Sequence, residues 1–401
     1  MMLNYKKLFS LWSLFVTVSL ILISGFNYII DPYAHNNKFT NKFNIIKLLD
    51  DDISLKFIFS KSKEFNTFTL GSSRGSVIDP ELIKNNLKNS RPINASFGSA
   101  SLDEIKIYID SIILNGNDFK YVFIGLDLFQ FSENWRPTRS AYAMKLMGLD
   151  EVDKNYIQYI SLNTTLDSIK TVKYNSSIGS NSKDGNCDKK CMSYLKKGMR
   201  YYDSVINNKN YDIQKKVTSQ KFYWHRESYD YSQVLALKDI LSKLKENNVT
   251  AFIYMNPIPF QQMYSSEISG VLSNGASVDI SRLGTSFFEQ LNLIDDIVSN
   301  TGAVIYDFNN LNTVNLNNSY FIDPFHFNYM VADCIINKMT IDKSECGNDF
   351  GEKINENNIK EYKHQTRDKY FKLLVDGKLG FGAKKTENAI KLTRELMRKY
   401  Q

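Results

Sequence analysis

From Asn66 onward, short apolar runs alternate with amphipathic stretches, and this alternation narrows the possible folds more than any other feature of the chain. Runs at Thr67–Leu70, Pro92–Ser96, Tyr121–Leu126, Val249–Met255 and Ala303–Phe308 read as strands. Helix signals lie between them. Asp79-Pro80 is an N-cap followed by proline at the first helical position. Ser101-Leu-Asp-Glu104 is a capping box, and Ile105, Tyr108, Ile109 and Ile112 then share one face. Val234–Leu244, Ser286–Val298 and Tyr329–Met339 read as further helices. Tyr121–Leu126 is almost continuously apolar, as a strand buried on both faces must be. The expected fold class is α/β: a three-layer, doubly wound parallel sheet with helices on both faces.

In such a sheet ligands bind outside the carboxyl ends of the strands. Ser73 follows the first run, Asn94 to Ser101 the second, Asp127 the third and Asn256 the fourth. Asp323 and His326 follow the fifth, so sequence order alone gathers the polar candidates on one edge. Thr67-Phe-Thr-Leu-Gly-Ser-Ser-Arg-Gly75 ends a strand in a tight turn ahead of a helix start, which exposes a hydroxyl near backbone amides. Of the four histidines, His326 alone lies in a strand-end loop with a carboxylate three residues before it. Nucleophile, base and orienting carboxylate are the three roles of acyl transfer. Ser73, His326 and Asp323 are the expected catalytic residues.

Gly71-Ser72-Ser73, followed late in the chain by Asp323-x-x-His326, resembles the SGNH (GDSL-like) hydrolase superfamily. The nearest likeness is to its membrane-anchored extracytoplasmic branch, the alginate-type O-acetyltransferases and the D-alanine transfer protein of teichoic acids. The resemblance spans roughly residues 66–337 and implies a flavodoxin-like sheet. It implies an oxyanion hole built from the amide of Ser73 and a second amide in Asn94-Ala-Ser-Phe-Gly98-Ser99, with Gly98 preferred and Ser99 the alternative. The family's third donor is an asparagine after the third strand. This chain has Asp127 there, so Asp127 is expected to turn away or Arg74 or Asn256 to supply the donor. The resemblance further implies a cell-surface glycan substrate, no cofactor, and a multi-spanning membrane partner that delivers acyl groups. The expected function is O-acyl transfer, with acetyl the expected group. The alternatives are a glycan O-acetyl esterase and a non-catalytic polysaccharide-binding subunit.

Leu8–Ile30 is uncharged over 23 residues, long enough to cross a bilayer core as a helix, with a cleaved signal peptide as the competing reading. Lys6 and Lys7 precede it and predict a cytoplasmic N-terminus with the body outside, most simply in a periplasm. The expected organisation is an anchor over 1–30, a linker over 31–65 and a catalytic domain over 66–346. Within that domain, 129–231 forms a mostly helical insertion, and a basic tail occupies 347–401. The insertion carries Trp135 and the cluster Phe222-Tyr-Trp224-His225, which could form a substrate wall by stacking on sugars. A bland helical cap is the competing reading.

The four cysteines fall into two near pairs, Cys187 with Cys191 and Cys334 with Cys346. Disulfides suit an outside location; zinc is the alternative, although no histidine lies near either pair. The net charge of +7 comes from scattered lysines, with no basic stripe on a nucleic-acid-binding motif. Abundant lysine and asparagine read as the mark of an AT-rich genome.

Overall fold

The structure is a computed structural model and describes residues 5–32, 43, 65–114, 116, 118–132, 159–179, 230–260, 285–323 and 325–375. Eight α-helices and six strands occur among them. In chain order they are α1 (Tyr5–Ile30), β1 (Thr67–Gly71), α2 (Pro80–Asn86), β2 (Pro92–Asn94), α3 (Leu102–Leu114), β3 (Tyr121–Leu126) and α4 (Leu162–Gly179). There follow α5 (Tyr231–Glu246), β4 (Thr250–Met255), α6 (Thr285–Thr301), β5 (Ile305–Asp307), α7 (Tyr329–Ile341), β6 (Glu352–Ile354) and α8 (Ile359–Val375).

The described residues divide into two compact units. In the first, α1 packs with α4. Asn27 near the end of α1 donates to the carbonyl of Tyr159 at 2.6 Å and to the Thr165 hydroxyl at 2.9 Å. Lys7–Ile30 within α1 is long and apolar enough to cross a membrane.

The second unit holds the sheet, in the order β2-β1-β3-β4-β5-β6. The first five strands run parallel, with Thr67 opposite Tyr121 and Gly71 opposite Gly125, while β6 pairs antiparallel to β5. Successive side chains point to opposite faces of a strand. Phe68 meets Tyr108 of α3 edge-on at 6.2 Å between ring centroids. Phe123, on the other face, stacks on Phe252 at 4.6 Å within a cluster that holds Ile83 of α2 and Val331 and Ile335 of α7. Helices therefore cover both faces. Each such fully buried phenylalanine contributes on the order of 1.5–3 kcal/mol.

The expected capping box is formed: Ser101 N–H donates to Glu104 at 2.9 Å, and Glu104 N–H donates to the Ser101 hydroxyl at 3.2 Å. β2 ends two residues earlier than its apolar run, yet Ala95 N–H and Phe97 N–H still bond the carbonyls of Thr69 and Gly71. The loop after β2 thus stays alongside the end of β1.

The tail differs from expectation. Residues beyond 346 were to lie outside the fold, but β6 extends the sheet and α8 packs against α6. β6 is a short edge strand with Glu352 and Lys353 exposed, so only Ile354 carries an apolar signal. In α8 one face is buried, through Ile359, Tyr362, Thr366, Tyr370 and Phe371: Tyr370 stacks on Phe287 at 5.1 Å, and the Tyr362 hydroxyl donates to buried Asp307. Residues 376–401 of the tail lie outside the described residues.

Cys334 of α7 is bonded to Cys346 at 2.06 Å, which ties α7 to the segment leading into β6. Cys187 and Cys191 lie outside the described residues. Closing a loop of this size stabilises by about 3 kcal/mol, mainly through the unfolded chain. Replacing both Cys334 and Cys346 by alanine is expected to lower the urea midpoint correspondingly. An unchanged midpoint would show that the native state gains nothing from the bridge.

Candidate active site

β1 delivers the chain into the site through Gly71, whose φ of +147° is closed to ordinary residues. A side chain there would also meet the Gly125 carbonyl of β3 at 2.8 Å. Next comes a 3₁₀ turn, Ser73–Val77, ahead of α2, whose N-cap is Asp79 as expected. Ser72 caps it by accepting from the Arg74 amide at 3.3 Å. Asn94 holds the turn from β2, donating to the carbonyls of Gly75 and Ile78 at 2.9 Å each and accepting from Ser96 N–H at 3.0 Å. Its side-chain amide is thereby spent on shaping the turn that carries Ser73.

The second half of the site is a tight loop pinned by an antiparallel bridge between Phe321 and Phe327. Ile322 N–H donates to the His326 carbonyl at 2.8 Å. Inside the loop, Asp323 Oδ1 accepts the backbone N–H groups of Phe325 at 2.7 Å and His326 at 2.9 Å. The same carboxylate meets His326 Nδ1, with Oδ2 at 2.8 Å. On the far side of the ring, Nε2 lies 2.9 Å from Ser73 Oγ. Ser73, Asp323 and His326 are all half-buried.

Burial works against the charge on Asp323. The hydrogen bond and charge of His326, with the two backbone donors, outweigh it and hold the carboxyl below its ordinary range. An ionised Asp323 can only accept, which places the imidazole proton on Nδ1 and leaves Nε2 to accept from Ser73. The arrangement can take a proton from a serine hydroxyl as that hydroxyl attacks a carbonyl.

The other expected residues divide. Gly98 is buried in the loop after β2, and Ser99 beside it is exposed with a left-handed φ of 58°. Asp127 forms a buried ion pair with Arg74 through Oδ1, while its Oδ2 has no hydrogen-bond partner among the described residues. Arg74 also donates through Nε to the Phe325 carbonyl at 2.7 Å. Asn256 is 1% exposed, and its amide nitrogen stands 3.0 Å from where a side chain on Gly125 would begin. Both its amide atoms lack a hydrogen-bond partner among the described residues. Trp135, Trp224 and His225 lie outside the described residues, so the expected substrate wall does too.

Two features escaped the sequence reading. Gln130 donates to the Ala100 carbonyl at 2.8 Å and accepts from Asp127 N–H at 2.9 Å. Asn309 and Asn315 staple the loop after β4: Asn309 accepts from Ile258 N–H at 2.8 Å, and Asn315 donates to the Ile258 carbonyl at 3.0 Å. The dense asparagines of 309–318 were the available signal.

Compared with known proteins, the chain matches no protein-family model and no curated protein.

Proposed function

We propose that this protein is an SGNH-like serine acyltransferase, anchored by α1 and working outside the cytoplasm on a cell-surface glycan. The observation that carries the reading is the continuous contact from Ser73 Oγ through His326 to Asp323. It is supported by the Gly-Ser-Ser and Asp-x-x-His motifs and by the mostly parallel sheet that brings them together.

In the first half-reaction Ser73 Oγ attacks the acyl carbonyl and its proton passes to His326 Nε2. The tetrahedral oxyanion is received by the amides of Ser73 and Gly98. Collapse expels the donor's oxygen, which takes the proton from His326, and leaves an ester on Ser73. In the second half a sugar hydroxyl attacks that ester and gives its proton to His326, and Ser73 is released. Attack by water instead makes the same site an esterase. A multi-spanning membrane protein would supply the acyl donor.

The test is to mix the purified full chain with p-nitrophenyl acetate, quench in acid and map the peptides. An acetyl group on the peptide that holds Ser73 is expected. Adding an acceptor polysaccharide should drain it faster than buffer alone and leave acetyl on the polymer. Drainage at the same rate with no acetylated polymer would favour the esterase, and absence of acetyl-Ser73 would sink both.

A further inference from the structure

Arg74 sits next to Ser73 but has no place in the proton relay. Its guanidinium reaches two ways: Nε donates to Phe325, the residue before His326, and Nη1 pairs with Asp127 at the end of β3. Asp127 N–H is held by Gln130, whose own amide reaches Ala100 next to Ser99. Arg74 is 5% exposed, Asp127 2% and Gln130 0%. One buried chain of hydrogen bonds therefore touches the turn after β1, the loop after β2, the end of β3 and the loop that carries His326.

Stability is a poor account of it. Taking an ion pair out of water is costly, and apolar residues of similar size often serve a fold equally well. What a buried arginine offers is a planar fork with fixed spacing between its donors. Here one tine holds the histidine loop and the other is anchored to the sheet. We infer that Arg74, Asp127 and Gln130 form a positioning strut that sets the His326 loop and the Gly98–Ala100 loop relative to Ser73. The inference rests on the reading of Ser73 as nucleophile. The strut touches no substrate: it acts by keeping Nε2 within reach of Oγ and the Gly98 amide where the oxyanion forms. It also explains why a carboxylate is tolerated at Asp127, since there it is an anchor for Arg74.

The test compares wild type with R74K, Q130M and the double variant in the full chain. Thermal melts check folding, a fluorophosphonate labels Ser73, and kcat and KM are read with p-nitrophenyl acetate. Lysine keeps the charge but has no fork, so folded R74K is expected to label about 10- to 100-fold more slowly. Its kcat should fall equally while KM stays within about twofold, as for an interaction felt in the transition state. Q130M should change in the same direction, and the double variant should be no slower than R74K, because the chain is already cut. Folded R74K that labels at the wild-type rate overturns the strut. If R74K fails to fold, Q130M decides: slow labelling supports the strut and a wild-type rate overturns it. A wild type that resists the fluorophosphonate overturns the nucleophile reading itself, and the strut falls with it.

Discussion

Replacing Ser73 with alanine is expected to abolish acyl transfer, lowering kcat by about 10⁴-fold or more while leaving the fold in place. The size follows from the chemistry: without Oγ there is no covalent intermediate, and what remains is binding and the oxyanion donors. The fold should survive because the elements that shape the turn do not use that hydroxyl. Asn94 holds the carbonyls of Gly75 and Ile78, Ser76 reaches the backbone carbonyl of Ser73, and Arg74 is braced on Asp127. The hydrogen bond lost, Ser73 to His326, is worth about 1 kcal/mol. The measurement is acetyl incorporation into surface glycan, beside a melt of the purified variant. A melt near wild type with glycan acetylation at background is the expected pair. Wild-type acetylation by Ser73→Ala would mean that the site only holds polymer, which is the binding-subunit reading.

The parts of this site that could be read from the sequence are those built by local chemistry. Asp323-x-x-His326 is legible because Asp323 folds its own loop, accepting the amides of Phe325 and His326 before it meets the imidazole. Ser73 is legible because a strand that ends in Gly71 next to β3 leaves few other courses for the chain. The parallel order of the first five strands then brings two distant segments to one edge.

What could not be read depends on tertiary partners. The sequence offers Arg74 as a spare donor and Asp127 as a misplaced carboxylate, and nothing local says that they neutralise one another. The asparagines of 309–318 look like compositional bias, yet Asn309 and Asn315 bond the backbone around Ile258 and so fix the loop after β4. α8 was missed because its buried face, Ile359, Tyr362, Thr366, Tyr370 and Phe371, holds a single aliphatic residue among charged neighbours. Its buried face becomes visible only against Phe287, Phe288 and Asp307.

Changing Asp323 to asparagine is expected to cost about 10³- to 10⁴-fold in kcat, nearly as much as losing Ser73. The substitution keeps shape and one oxygen, so the amides of Phe325 and His326 can still be accepted and the loop can still close. What changes is the tautomer. An asparagine NH₂ facing Nδ1 donates to it, which moves the imidazole proton to Nε2. Nε2 then points a hydrogen at Ser73 Oγ and cannot take one from it. Stability should respond separately, with a sign that can be worked out. Because Asp323 is held below its ordinary value of 3.8, it contributes stability above that pH and loses it as the pH falls through the lower, folded-state value. The acid limb of the wild-type stability profile therefore includes this group, and that of Asp323→Asn should be shallower. Urea midpoints measured from neutral pH down into the acid limb, beside kcat on p-nitrophenyl acetate, give both readouts on one protein. A flatter acid limb with kcat within a few-fold of wild type would leave Asp323 as a loop-former only, and His326 would need another group to set its tautomer.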